Sequence, residues 1–342
     1  MKVLLAGATG ALGVPLVRRL AKAGHEVIGI TRSEQGAGLL WDLGASSVVA
    51  DALDRDGLLR ALKDTRTDAV IHQLTALKRP PMRARDVEQT NRLRVEGTAN
   101  LLAAAKQVGA RRFVTQSFFG GYGFHDGSRV LTEQDQFAPP GGKRFDPTWQ
   151  ALRSTEQQVL EAPGIEGIVL RYGGFYGPAS IGQMLDSLRK RQIPVPRDGG
   201  AYASLVYIDD AAAATVAALD RSAPGQIYNI VDDEPVRWGV LVDALVKAFG
   251  LPKPWRVPDA LLRVAAPYMG GLMTRQSLRL SNAKAKAELG WRPTVPTYRE
   301  GIEALMAELN SADNGEGVGE KERGRQTLRG TSVRGGAGAA NT

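Results

Sequence analysis

The sequence predicts an α/β fold, a doubly wound parallel sheet followed by a small C-terminal lobe. Short, uniformly apolar runs alternate with helical stretches through the first two thirds of the 342 residues. That pattern is typical of parallel strands buried on both faces of a sheet. A glycine-rich turn, GATGALG, joins the first run to the first helix. After residue 177 the regular alternation ends, and proline and glycine separate shorter segments.

The first part supplies most of the sheet. Its strands are expected in the aliphatic and β-branched runs at 2–6, 26–30, 47–50, 68–73, 111–116 and 167–171. The helices between them are expected at 12–24, 55–64, 86–109 and 149–162. Because strands and helices alternate, the connections should be right-handed crossovers.

The second part is expected to mix a small substrate lobe with elements that return to the sheet. We expect a helix and then a Pro/Gly-rich loop over 177–200, a strand at 226–230, and further helices at 208–220, 238–250 and 281–291. The chain is therefore divided into a core over 1–177, a C-terminal part over 178–310 and a tail over 311–342. The tail is rich in glycine and mixed charges, which predicts disorder.

Composition excludes several classes of protein. The chain has no cysteine, which rules out disulfides and thiol catalysis, and its three histidines lack metal-ligand spacing. The net charge of +8 comes from scattered Lys and Arg, so no nucleic-acid partner is expected. No apolar run approaches the ~20 residues of a membrane span or forms a secretory leader. A cytoplasmic protein without a membrane partner is expected.

The glycine turn is the strongest chemical signal. Gly7 permits a tight turn, Gly10 lets the backbone approach a pyrophosphate, and Gly13 lets the helix pack closely on the strand. The helix N-terminus adds free N–H groups and a partial positive charge. The alternative is a tight turn that binds nothing. The other residues of the turn expected to contact the cofactor are Thr9, Ala11 and Leu12.

Three further strand ends agree with a dinucleotide site. The second strand ends in Thr31 and Arg32 in place of an acidic residue. A guanidinium suits a 2′-phosphate, which favours NADP over NAD as the cofactor. NAD is the alternative cofactor, and the alternative for Arg32 is a surface arginine without a binding role. Asp51, followed by Ala52, ends the third strand, where a carboxylate can accept from the adenine amino group. The small or apolar residues expected beside the cofactor after the fourth strand are Leu74, Thr75 and Ala76.

With these stretches in order, residues 1–307 resemble the NAD-dependent epimerase/dehydratase family, the extended short-chain dehydrogenases/reductases, and its atypical branch in particular. The resemblance implies a Rossmann-like fold, an NAD(P)-binding core, and a lobe that commonly holds a nucleotide-sugar. It also places Tyr172 and Gly173 beside the nicotinamide. Related folds often form homodimers through two long helices, here 86–109 and 149–162. The motifs that carry it are GATGALG, VVADALD, IHQLTA, LRYGGFYGP, VYIDDAAAA and GQIYNIVDDEPV.

The family's usual catalytic pair is missing. Its mechanism uses a tyrosine as proton donor or acceptor and a lysine one helical turn later. No tyrosine of this chain has a lysine four residues further on. Spacing places Trp149 and Arg153 at the two positions, whereas alignment on Glu156 places Thr148 and Leu152 there. Neither alignment restores the pair.

Two residues are candidates to replace it. Ser117 lies within one residue of the family's substrate-binding Ser/Thr, and Tyr122 belongs to a matching Tyr-Gly pair. Tyr122 is the candidate for a displaced proton donor, and a tyrosine packed in a glycine-rich loop is the alternative.

Two functions therefore stay open. The first is an NAD(P)-dependent oxidoreductase or epimerase acting on a small or nucleotide-linked, sugar-type carbonyl or alcohol. The second is a non-catalytic NADP(H)-binding redox sensor or scaffold, which the missing pair favours.

Overall fold

The computed structural model describes residues 1–77, 80–139 and 145–309. The tail predicted over 311–342 lies outside the described residues. The first seven strands are β1 (Lys2–Ala6), β2 (Glu26–Thr31), β3 (Ser46–Val49), β4 (Ala69–His72), β5 (Arg112–Phe118), β6 (His125–Leu131) and β7 (Glu166–Tyr172). The others are β8 (Gly174–Tyr176), β9 (Val195–Pro196), β10 (Tyr202–Ala203), β11 (Leu205–Tyr207), β12 (Gln226–Ile230), β13 (Val236–Arg237), β14 (Arg256–Val257) and β15 (Gln276–Leu280).

The helices connect these strands and cover the sheet. The first six are α1 (Gly13–Lys22), α2 (Glu34–Asp42), α3 (Arg55–Ala61), α4 (Glu88–Arg92), α5 (Thr98–Val108) and α6 (Asp146–Leu160). The next six are α7 (Pro178–Arg189), α8 (Ile208–Arg221), α9 (Trp238–Ala248), α10 (Asp259–Ala265), α11 (Met269–Arg275) and α12 (Ala283–Leu289). Residues 298–309 are also helical. None of the described helices is both long and apolar enough to cross a membrane.

A seven-stranded parallel sheet forms the centre of the fold, as predicted. Its strand order is β12-β7-β5-β4-β1-β2-β3. The chain builds outward from β1 on one side and then returns to β4 on the other, so the order reverses between β1 and β4. Ala6 pairs with Ile30 of β2 and with His72 of β4. The turns that follow these three strands therefore meet at one edge, where open α/β sheets bind their ligands.

Apolar side chains cover both faces of the sheet. Leu16 and Val17 of α1 pack with Ala211 of α8 on one face. Leu101 of α5 packs with Leu58 of α3 on the other. Residues buried on both faces explain why the strands read as uniformly apolar runs.

The structure corrects the expected helix over 86–109. A 3-10 turn at Ala84–Val87 begins this stretch, and a π turn at Leu93–Gly97 separates α4 from α5. Arg94 has its backbone carbonyl in this π turn, where it accepts hydrogen bonds from the hydroxyls of Thr98 at 2.6 Å and Thr155 at 2.7 Å. The two hydroxyls thus donate to a carbonyl oxygen that would accept from a backbone amide of the same helix if the helix were regular.

A parallel pair outside the main sheet ties the C-terminal part to the core. Gln276 of β15 pairs with His125 of β6, and Leu280 pairs with Leu131. Just before β15, the Tyr268 amide donates to the Met82 carbonyl at 3.2 Å. The segment that contains α10 and α11 is thereby held next to the loop after β4.

Candidate active site

The glycine turn is packed so tightly that two of its positions exclude a side chain. Gly7 has a φ of +89°, and a Cβ there would lie 2.5 Å from the Gln73 carbonyl oxygen. A Cβ on Gly13 would lie 2.1 Å from the Gly7 oxygen. The turn therefore sits against the chain after β4, and α1 packs directly onto the turn.

The outer part of the same turn is open. Thr9, Gly10 and Ala11 are exposed, whereas Leu12 is buried. Among the described residues, no side chain caps the N-terminus of α1, and its first turn holds no acidic residue. The amide groups and the positive end of the helix thus face outward, which fits a pyrophosphate.

The turn after β2 lies against the glycine turn. A Cβ on Gly36 would lie 2.0 Å from Thr31 Oγ1 and 3.3 Å from Thr9 Cγ2. Thr31 is buried, and Arg32 is exposed beside it. Arg32 makes no ion pair in the described part of the chain. Its guanidinium therefore has no acidic partner among these residues.

The turn after β3 holds the predicted carboxylate on the surface. Asp51 is exposed, and its Oδ1 accepts from the Leu53 amide at 2.9 Å. Ala52 is buried, and its carbonyl accepts from Asn100 Nδ2 at 2.8 Å. This turn is thus fixed to α5, with the Asp51 side chain at its outer side.

The residues after β4 are held in place by α4 and α5. His72 Nε2 lies 3.1 Å from Thr98 Oγ1, and the Leu74 amide donates to His72 Nδ1 at 3.2 Å. The Ala76 amide donates to Thr90 Oγ1 at 3.1 Å, and the Thr75 hydroxyl lies 3.4 Å from the same oxygen. Burial lowers the pKa of His72 to about 4, with a smaller contribution from the charge of Arg94. His72 is a neutral core residue, and no metal-binding cluster occurs among the described residues.

Tyr172 and Gly173 are less open than the resemblance implies. The Tyr172 hydroxyl accepts from Gln73 Nε2 at 3.1 Å and lies 2.6 Å from Thr215 Oγ1, inside the core. A Cβ on Gly173 would lie 2.6 Å from the Ser204 oxygen. The hydroxyl of Tyr172 is thus used within the protein, and only the backbone at these two positions is left for a cofactor contact.

Ser117 is part of a buried ion-pair network. Its hydroxyl donates to Glu156 Oε1 at 2.6 Å. Arg171 Nε donates to the same Oε1 at 2.9 Å, and its Nη2 donates to Oε2 at 2.8 Å. All three residues are buried. The partnership of Glu156 with Arg171 does not follow from the sequence pattern, because the two residues lie on different elements.

Tyr122 belongs to the same network. Its hydroxyl accepts from Arg171 Nη1 at 2.9 Å and lies 2.9 Å from Asn229 Oδ1 and 3.0 Å from the Thr132 carbonyl. The residue is 1% exposed. Burial is the main cause that raises the pKa of Tyr122 to about 12, against the opposing charge of Arg171. These surroundings match a packed aromatic residue, and the catalytic roles of Ser117 and Tyr122 stay predictions.

In either alignment, the positions of the family's pair hold residues that pack or form hydrogen bonds within the protein. Trp149 stacks on Phe145 at 5.9 Å between ring centres, and Arg153 donates to the Ala138 carbonyl. In the alternative alignment Leu152 is buried, and Thr148 forms hydrogen bonds with side chains. None of these four side chains can replace the family's tyrosine as a proton donor near pH 7.

One group of polar side chains near these positions was missed by the sequence prediction. Arg94 Nη1 donates to Asn91 Oδ1 at 3.1 Å, and Asn91 Nδ2 donates to Thr148 Oγ1 at 3.4 Å. Thr148 Oγ1 lies 3.2 Å from the Tyr268 hydroxyl. We call these four residues the Arg94 group. Tyr268 is distant in sequence, and no local pattern connects it with Arg94.

Comparison with known families agrees with this geometry. The profile of the family described as "NAD dependent epimerase/dehydratase family" matches residues 3–231. That range includes the glycine turn and, apart from Lys2 at the start of β1, every strand of the seven-stranded sheet.

Similar proteins of known name include reductases and epimerases. The 3-diazoavenalumate denitrifying reductase of Streptomyces sp is 37% identical over 316 residues, which cover 88% of this chain and 99% of that protein. Among solved structures, UDP-glucose 4-epimerase of Thermotoga maritima with UDP-glucose has a TM-score of 0.75 at 21% identity, covering 91% of this chain and 99% of that one. Thermus thermophilus UDP-glucose 4-epimerase in complex with NAD has a TM-score of 0.70 at 23% identity, covering 90% and 99%.

Proposed function

Because the chain belongs to the NAD dependent epimerase/dehydratase family, we propose that it is a nicotinamide-dependent reductase of a small organic substrate. The glycine turn carries this proposal, since its exposed amides and tightly packed Gly7 and Gly13 fit a dinucleotide. The 37% identical denitrifying reductase supports reduction over sugar epimerisation.

We propose NADP as the preferred cofactor, with NAD as the alternative. Arg32 is exposed, lacks an ion-pair partner among the described residues, and lies on a turn packed against Thr9. A guanidinium in this place suits the 2′-phosphate that distinguishes NADP.

The absence of the family's proton donor restricts the substrates that the protein can reduce. Reduction of a carbonyl consumes a hydride and a proton, and the family's tyrosine handles that proton. Here Thr148 and Leu152, or Trp149 and Arg153, occupy the positions of the pair. The hydroxyls of Ser117 and Tyr122 are bound inside the protein. A substrate whose reduction needs no proton from the protein is therefore favoured.

An aryl diazonium ion is such a substrate, and the name of the denitrifying reductase denotes a diazo compound. When bound, the reduced nicotinamide supplies a hydride. The ring carbon that carries the nitrogen would accept this hydride, the C–N bond would break with its electron pair going to nitrogen, and N2 would leave. Charge and atoms balance without a proton. The chain's own residues would bind the ring, orient its carbon and exclude water. A small or nucleotide-linked carbonyl or alcohol is the alternative substrate class, with water as the proton source.

The test combines cofactor binding with turnover. Titration of the full chain with NADPH and NADH should show tight binding of at least one of them. An aryl diazonium salt should then oxidise the reduced cofactor with one N2 released per hydride. Gly10→Asp is the matched control, because its carboxylate would repel the pyrophosphate; it should lose both binding and turnover. Uptake of neither dinucleotide would refute the proposal.

A non-catalytic NADP(H) sensor or scaffold is the second candidate. The observation that favours it is that neither alignment places a tyrosine and a lysine at the positions of the family's pair. It predicts tight NADPH binding but no NADPH oxidation above the enzyme-free rate with any diazonium, carbonyl or alcohol tested.

We also propose a cytoplasmic location and a homodimer. The helices expected at the dimer interface, α4–α5 and α6, lie side by side, with Gln158 Nε2 donating to the Val95 carbonyl at 3.2 Å. Light scattering of the purified chain should give twice the mass of one chain, and a monomeric mass would contradict the dimer.

A further inference from the structure

We propose that the Arg94 group binds a carboxylate of the substrate, so that the substrate class is a small aromatic acid. The inference rests on the proposed function, because it names what the same site recognises. Arg94 would hold the carboxylate, and the hydroxyls of Thr148 and Tyr268 would add to its binding.

The charge of Arg94 has no acidic partner in the part of the chain that the structure describes. Its side chain is half-buried, and its hydrogen-bond partner is the neutral amide of Asn91. Burial lowers the pKa of Arg94 to about 10, which leaves the guanidinium charged at neutral pH. A partly desolvated cation gains most when an anion completes its hydrogen bonds, and a carboxylate fits a guanidinium in two-point geometry.

The backbone of Arg94 is held rigidly. Its carbonyl accepts from Thr98 of α5 and from Thr155 of α6, at 2.6 and 2.7 Å. Both bonds occur at the π turn, an irregularity that proteins often keep at functional sites. The position of Arg94 is thus fixed by two helices before any ligand arrives.

The Arg94 group lies at the ligand-binding edge of the sheet. The Thr98 hydroxyl, which donates to the Arg94 carbonyl, lies 3.1 Å from Nε2 of His72, the last residue of β4. One helical turn before Arg94, Thr90 binds the Ala76 amide in the loop after β4. That loop follows a strand next to β1 and its glycine turn. A ligand on Arg94 would therefore lie near the proposed cofactor.

The hydroxyls of Thr148 and Tyr268 together have one proton that their mutual hydrogen bond does not use. Thr148 Oγ1 and the Tyr268 hydroxyl lie 3.2 Å apart, and either can be the donor to the other. Each hydroxyl has one proton, so the pair uses one and leaves the other. We assign that proton, for which no hydrogen bond to another described residue is seen, to a second carboxylate oxygen.

The surroundings of the group are aromatic. The Tyr268 and Phe145 ring centres lie 4.7 Å apart, and Phe145 stacks on Trp149 at 5.9 Å. Phe124 meets Trp149 edge-on at 5.4 Å. These rings pack on one another in one buried cluster beside the group, and a planar ring that bears a carboxylate would extend this packing.

The test uses trans-cinnamate and its neutral analogue cinnamamide as probes, with the full chain saturated with NADP+ and with the cofactor-free chain. Calorimetry should show cinnamate binding at least about tenfold more tightly than cinnamamide. Arg94→Gln should weaken cinnamate binding by about 10- to 100-fold and change cinnamamide binding little. Arg92→Gln is the matched control, because Arg92 is two residues away, exposed and paired with Glu96; it should leave both affinities unchanged.

Two results would overturn the inference: equal affinity of the wild type for cinnamate and cinnamamide, or unchanged cinnamate affinity in folded Arg94→Gln. If Arg94→Gln does not fold, Arg94→Lys and Tyr268→Phe replace it, and each should weaken cinnamate binding. The wild-type affinities for cinnamate and cinnamamide test the inference without any variant. Dinucleotide affinity is measured on the same samples. Its loss would refute the proposed function, whereas preserved dinucleotide binding without preference for cinnamate refutes this inference alone.

Discussion

Arg171 and Glu156 form a two-point ion pair inside the protein, with Nε–Oε1 and Nη2–Oε2 distances of 2.9 and 2.8 Å. The pair joins the end of β7 to the middle of α6. Burial alone would lower the pKa of Arg171, but the hydrogen bonds and charge of Glu156 outweigh it and raise that pKa. Ser117 and Tyr122, the two predicted catalytic residues, each bond to one member of this pair.

Glu156→Gln should therefore destabilise the fold strongly. It leaves the Arg171 charge buried without a counter-ion, which costs about 3–5 kcal/mol of unfolding free energy. Glu166→Gln is the matched control, because Glu166 pairs with Arg112 but has 46% of its side chain exposed; it should cost less than about 1 kcal/mol. Urea denaturation measures both, and equal losses would show that the buried pair has no special role.

Tyr122→Phe should lower stability and leave turnover per folded molecule unchanged. It removes the hydroxyl that binds Arg171 and Asn229, at a cost of about 1–3 kcal/mol. Tyr298→Phe is the control, since Tyr298 is buried and its hydroxyl makes no hydrogen bond with the described residues. If kcat falls while the melting temperature stays, Tyr122 is the proton donor after all.

Arg32→Asp should shift cofactor preference from NADP toward NAD. The carboxylate would repel a 2′-phosphate and accept a ribose 2′-hydroxyl. Arg18→Asp, an equal change of charge on the exposed side of α1, should leave the ratio of the two dissociation constants unchanged. An unchanged ratio in Arg32→Asp would remove the argument for NADP.

Asp232 should make stability fall as pH rises. Burial, and then the charge of Asp233, raises the pKa of Asp232 to about 9 in the folded protein, from 3.8. The folded state therefore keeps a proton that the unfolded state releases, and unfolding free energy decreases between these two values by at most about 1.4 kcal/mol per pH unit. Asp232→Asn should remove this slope and be more stable than the wild type at pH ~8, since an amide is neutral throughout. Asp64→Asn, at an exposed aspartate, should keep the slope.

The parts of the fold that were predicted depend on local sequence. The strands of the sheet are apolar runs, and Gly7 and Gly13 stand where a side chain would collide with backbone. Because apolar runs and helices alternate along the sequence, it was also possible to predict which residues follow each strand at the ligand-binding edge of the sheet. Helix α2 was not predicted, because its sequence EQGAGLLWD contains two glycines, which weaken a helical pattern.

What was not predicted depends on contacts between distant residues. β6, HDGSRVL, is mostly polar, and its pairing with β15 makes it a strand. The Arg171–Glu156 pair and the contact of Tyr268 with Thr148 join segments 15 and 120 positions apart. Such partners are selected by the folded topology, which residue spacing does not encode.

The π turn has a consequence for comparing this chain with its relatives. Such a turn holds one residue more than the α-helical path it replaces. A chain without that extra residue would keep the helices on both sides in place, but the turn would close into regular helix, and the carbonyl of its equivalent of Arg94 would bond within that helix. Homologues one residue shorter at this turn should therefore lack the hydrogen bond by which Thr155 of α6 holds the turn.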